Sequence, residues 1–106
     1  MTKSTHDVPR AVSDAAKRGL ELHEAHGHGG TAVGLEMARQ LAKGGALSME
    51  DALHVSKYFP RHAGDNLEQD GSDGQQPSNG YIAWLLWGGD AGREWSEKIK
   101  LEDSQS

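Results

Sequence analysis

Cysteine is absent from this 106-residue chain. That one gap removes disulfides, thiolate zinc sites and cysteine nucleophiles together, and it suits a reducing compartment. Basic residues are scarce: 11 Lys and Arg stand against 16 Asp and Glu, a net charge of −5. Sequence-independent affinity for nucleic acid comes from neutralising phosphates with Lys and Arg. An acidic chain lacks that overall field, and any nucleic-acid contact has to come from a local patch. Long apolar runs are missing too. The longest, Tyr81 to Trp87, is far short of the roughly 20 residues that a membrane span needs. Met1 to Pro9 is polar and has no signal-peptide apolar region, so the expected location is cytoplasmic. There is no internal repeat, and no sustained alternation of β-branched residues, so no sheet is expected.

What is present reads as one small helical domain. The length fits a single domain. With 35% hydrophobic residues and 14 glycines, the core has to be compact, with little surplus for a deep catalytic cavity. Residues 1–8 read as a disordered tail, 9–100 as the domain and 101–106 as a frayed tail. A first helix starts near Pro9, whose fixed φ suits a first helical turn. It carries Val12, Ala16, Gly19, Leu20 and His23 at helical spacing and ends at Gly27–Gly30. Thr31 caps a second helix with Val33, Met37, Ala38 and Leu41 on its stripe, terminated by Lys43 and Gly44–Gly45. Ser48 caps a third, with Asp51 three residues on, and with Leu47 and Ala52 at the two positions of a hydrophobic staple. Its face is Ala52, Val55, Ser56 and Phe59, and Pro60 should end or kink it. Gly64 to Pro77 reads as a long acidic loop. Ser78 or Asn79 then caps a fourth helix that Gly88–Gly89 interrupts, and Asp90 is placed to cap a last one. The expected fold is all-α, a small bundle of four to five short helices with one long acidic loop.

Several constellations invite chemical readings, each with a plainer one beside it. His23, His26 and His28 lie close together beside Glu24, with His54 and His62 further on. Imidazole is the commonest metal ligand, but this spacing fits no zinc template, and histidines at a helix end also complement its dipole. No metal and no cofactor are expected. Gly27-His28-Gly29-Gly30-Thr31 has the glycines of a phosphate loop but neither the Lys nor the preceding strand, so it reads as a helix linker. Asp65, Glu68, Asp70 and Asp73 fit no register of a calcium loop, which leaves a solvated acidic loop. His62 beside Asp65 or Ser56 is the best available acid–base pair, yet no recognisable catalytic motif surrounds it. No catalytic residue is assigned, and the chain is read as a non-enzyme.

The aromatic block is more informative. All three Trp residues, Trp84, Trp87 and Trp95, fall within one short stretch. Trp84 and Trp87 share a helix face, and a continuous helix would bring Trp95 back to it. Trp84, Trp87, Trp95 and Phe59 are therefore the expected core. Trp is also enriched at interface hot spots, so one of them can serve a partner.

These blocks carry a resemblance. Arg18-Gly19-Leu20, Gly29-Gly30-Thr31-Ala32-Val33-Gly34, Lys57-Tyr58-Phe59-Pro60-Arg61-His62 and Ser78-Asn79-Gly80-Tyr81-Ile82-Ala83-Trp84-Leu85-Leu86-Trp87-Gly88-Gly89-Asp90-Ala91-Gly92, in this order, resemble a small helical module of tailed-phage proteins. The likeness runs from about Pro9 to Trp95, and the last block is the distinctive one. The module is associated with phage genomes, alone or attached to proteins of the head region. The resemblance implies a helical fold and a place in the virion or the host cytoplasm. It brings no catalytic residues.

The expected function is accordingly a phage-encoded, non-enzymatic interaction module that binds a protein partner in the virion or the infected bacterium. Its candidate surface is Tyr58, Arg61, His62, Asn79 and Tyr81. The alternative is a nucleic-acid-associated module with Lys17, Arg18, Arg39, Lys43, Lys57 and Arg61 as a local basic patch. A small histidine-dependent metal enzyme is a third class.

Overall fold

The structure, a computed structural model, describes residues 5–62, 67 and 76–105. Within them the chain order is β1 (Thr5–Asp7), α1 (Arg10–His26), α2 (Ala32–Lys43), β2 (Ala46–Ser48), α3 (Met49–His62), α4 (Asn79–Leu86) and α5 (Gly89–Gln105). The chain is thus a small all-α bundle, and three of its helix starts follow from local chemistry. The Thr31 hydroxyl accepts from the Gly34 N–H at 3.1 Å, and the Ser48 hydroxyl from Asp51 N–H at 3.1 Å. Ser78, rather than Asn79, caps α4 by accepting from Tyr81 N–H at 3.1 Å. Each bond satisfies one of the donors that a helix start leaves without an intrahelical partner.

Pro60 was expected to end or kink the third helix, and it does not end it. Pro60 lies inside α3, which runs on to His62. A proline costs a helix one N–H donor and crowds the carbonyl four residues back. Here that cost falls on the last turn, where little helix remains to disrupt. At the other terminus α5 remains helical to Gln105.

The expected absence of a sheet also fails, in a small way. Thr5–Asp7 pairs antiparallel with Ala46–Ser48, with His6 opposite Leu47, and Val8 N–H donates to Gly45 O at 2.7 Å. Residues 1–4 of the expected tail, and the loop at 63–66 and 68–75 with its candidate calcium carboxylates, lie outside the described residues. Of that loop Leu67 is described, and it packs against the core.

α1 is the central strut and packs on α2, α4 and α5, while α3 packs on α5. Val12 and Ala16 of α1, Ala38 and Leu41 of α2, Val55 and Phe59 of α3, and Ile82 and Leu86 of α4 are buried together. Ser13 is buried in the α1–α2 seam and donates its hydroxyl to Ala42 O at 3.0 Å. Trp84 and Trp87 are buried. Trp95 is half-buried at the edge of the same core.

The corner between α4 and α5 has its own construction. Gly88 sits at φ 108°, where a side chain is strained, and a Cβ there would lie 2.8 Å from Val12 Cγ1. Asp90, expected to cap the last helix, instead accepts a hydrogen bond from Trp84 Nε1 at 2.9 Å. That bond ties the buried ring of α4 to the first turn of α5.

Candidate functional site

The C-terminal half of α3 presents two parallel stripes. His54, Tyr58 and His62 recur every four residues and so stack along one face, and Lys57 and Arg61 form the neighbouring stripe. Trp87, at the end of α4, inserts into the first stripe. Its ring stacks on Tyr58 with centroids 4.9 Å apart and planes 10° from parallel. His62 also stacks on Tyr58, at 4.3 Å and 17°. His54 meets Trp87 edge-on at 5.2 Å. Behind this column Phe59 meets Trp84 edge-on at 4.8 Å, so the column is continuous with the core. Offset and edge-to-face pairs of this kind are worth about 0.5–1.5 kcal/mol each beyond the area they bury.

This column is the floor of a cleft of about 380 Å³. Tyr58 and Trp87 are only 8% and 6% exposed, so they show the cleft their margins rather than open faces. Lys57 and Arg61 stand exposed at one rim. The turn Gly29-Gly30-Thr31 and the exposed side chain of Val33 form the opposite wall, and Asn79, Gly80 and Ala83 form the third side. The cleft is therefore apolar at its base, cationic along one edge, and bordered by the first turns of α2 and α4, whose leading N–H groups favour negative charge.

The Gly-rich wall is held by the histidines. His23 Nδ1 lies 2.9 Å from Gly29 O and 3.2 Å from His28 O. Carbonyls only accept, so Nδ1 carries the proton and donates to the turn. His28 Nδ1 in turn bonds the Asn79 side-chain oxygen, which joins the turn to the start of α4. The turn itself requires glycine. Gly29 and Gly30 have φ of 95° and 81°, and a Cβ on either would lie under 3 Å from Ile82 or Leu86 side-chain atoms. Two of the clustered histidines thus act as braces, a role that neither the metal reading nor the dipole reading anticipated. Among the described residues no group of three or more His, Asp or Glu side chains is arranged to hold a metal ion.

Four of the five residues expected at a partner surface meet here: Tyr58, Arg61, His62 and Asn79 all line the cleft. Tyr81 does not, and packs half-buried against the core instead. Trp87, named among the expected core residues, is buried and also lines the cleft. His54, Lys57 and Val33 belong to the cleft but not to that expected surface, although the four-residue spacing of His54 with Tyr58 and of Lys57 with Arg61 was there to be read. Of the six residues in the alternative basic patch, only Lys57 and Arg61 line the cleft. Arg18 and Arg39 lie 3.8 Å and 3.4 Å from Glu21 and Glu36 in exposed ion pairs. For the candidate acid–base pairs, Asp65 lies outside the described residues, and the buried Ser56 hydroxyl donates to Leu53 O at 2.6 Å.

No helix among the described residues is long and apolar enough to cross a membrane. Comparison with known proteins finds no matching family model, no matching curated protein and no matching solved structure.

Proposed function

We propose that the chain is a non-enzymatic helical interaction module, of the tailed-phage kind that its sequence resembles, and that it docks a protein partner at this cleft in the virion or the infected bacterium. One observation carries the reading. An acidic chain places two exposed cations, Lys57 and Arg61, at a cleft floored by the stacked rings of Tyr58, Trp87 and His62 and walled in part by Val33 and Ala83. Apolar bases with polar rims are the usual anatomy of a docking pocket. The nucleic-acid alternative is weaker on the same geometry. Base-stacking platforms need open ring faces, whereas Tyr58 is stacked on both His62 and Trp87.

The lack of cysteine makes the test clean. Val33 is 57% exposed on the cleft wall, so Val33→Cys introduces a single thiol that a bulky maleimide can block. Immobilised protein should capture its partner from a lysate of the infected host before labelling and lose it afterwards. The same label on Lys17→Cys, an exposed site on α1 outside the cleft, should leave capture intact. Capture that survives the label at residue 33 removes the cleft from the function.

A further inference from the structure

The cleft does not stop at Val33 and His54. The same two residues line a second depression of about 360 Å³, whose remaining wall includes Glu36, Met37, Gln40 and Asp51. The two depressions share a wall and differ in charge. Lys57 and Arg61 line the first, and the second is lined by Asp51 and by Glu36, whose carboxylate also pairs with Arg39 at 3.4 Å. We infer that they form one polar-ended groove for an extended segment of a protein partner, with an acidic side chain at the Lys57–Arg61 end, a basic one at the Glu36–Asp51 end and an aliphatic one between them. This rests on the docking reading above and adds a direction to it.

The spacing follows from helix geometry. Asp51 lies six residues before Lys57 and ten before Arg61 on α3, a separation of about 9–15 Å at 1.5 Å per residue. An extended chain advances about 3.3 Å per residue. The two charges of the segment are thus three to five positions apart. The apolar residue between them falls over the shared wall, where Val33 is exposed and the margin of Trp87 is reached from the first depression. Unlike a uniformly basic site, such a groove fixes which charged end of a segment lies where, which is how charge sets register at interfaces.

Blocked pentapeptides provide the probe, with binding to the whole chain read by calorimetry. Asp-Ala-Leu-Ala-Arg is compared with Asp-Ala-Leu-Ala-Asp, with Arg-Ala-Leu-Ala-Arg and with versions in which Gln replaces one charge. The two-signed peptide should bind about tenfold tighter than either single-signed one, and replacing either of its charges by Gln should cost about fivefold. The losses should be separable. Lys57→Gln with Arg61→Gln should abolish the benefit of Asp in the peptide and leave that of Arg, and Asp51→Asn with Glu36→Gln should do the reverse. A merely structural role for these side chains would weaken all peptides alike. Equal binding of the two-signed and single-signed peptides, a benefit from Asp alone, or no saturable binding of any peptide overturns the polarity and leaves the docking reading standing. Oligothymidylate binding more tightly than every peptide overturns both.

Discussion

Gly19 offers the sharpest test of the packing, because two physical effects predict opposite signs for Gly19→Ala. The residue lies in the middle of α1, where alanine is favoured over glycine by about 1 kcal/mol on helix propensity alone. The added methyl, however, would lie 2.7 Å from Leu86 N and 3.0 Å from Leu85 C. Carbon contacts are optimal near 3.5–4.0 Å. The obstacle is backbone, so no rotamer change relieves it, and α4 has to move by about 1 Å relative to α1. That shift disturbs Ile82 and Leu86, both fully buried. Overpacking typically costs about 1–3 kcal/mol, and a backbone-limited site belongs at the upper end. Subtracting the propensity gain leaves a net loss of about 2 kcal/mol. For a domain of this size that corresponds to a fall in Tm of roughly 8–16 °C. Urea and thermal unfolding followed by far-ultraviolet circular dichroism measure it. Gly34→Ala is the control. Its nearest neighbour would be Trp87 Nε1 at 3.1 Å, a side-chain atom that can shift by the few tenths of an ångström required, so its net effect should be within about 1 kcal/mol. A Gly19→Ala protein as stable as the parent, or more so, refutes the close approach of α1 and α4.

Trp84→Ala should cost about 3–5 kcal/mol, enough to unfold the protein or nearly so against a typical total of about 5–15 kcal/mol. Trp84→Phe keeps most of the ring but removes the bond to Asp90, so it should lose clearly less, as chemical denaturation will report. Ser48→Ala and Ser78→Ala should each cost about 1 kcal/mol through the lost caps, and a near-zero change in either denaturation midpoint argues against that hydroxyl's bond. Arg61→Ala should change stability by no more than about 0.5 kcal/mol, because its side chain is exposed. A large loss of Tm would make Arg61 a structural clamp and not a contact for a partner.

What could be read from the sequence was what depends on near neighbours along the chain. Thr31, Ser48 and Ser78 were recognisable as caps because a cap is a relation over three residues. The core positions of α3 and α4 followed from helical spacing in the same way. The pairing of Thr5–Asp7 with Ala46–Ser48 was not legible. Three residues are too few to show an alternation, and the partner lies some forty residues away. Pro60 was read by its average effect on a helix interior, whereas its position in the last turn decides its cost. At the candidate site, the stripes of α3 were visible in principle, but the insertion of Trp87 into the first of them is a tertiary event. The same holds for His23, whose partners His28 and Gly29 are close in sequence but reachable only once the turn has formed. The link from His28 to Asn79 spans 51 residues, and no local pattern encodes it.

The cleft's floor and rim differ in how freely they can change. Tyr58 and Trp87 belong to the core as much as to the cleft, so altering them puts the fold at risk. Val33, His54, Lys57 and Arg61 are exposed, and substitutions at such positions usually move stability by less than about 0.5 kcal/mol, with about 0.5–1.5 kcal/mol at His54, which gives up its edge-on contact with Trp87. Recognition can thus be rewritten at four surface positions while the architecture beneath them is untouched. A library randomised at those four sites, selected against unrelated targets, would treat this small cysteine-free bundle as a general binding scaffold.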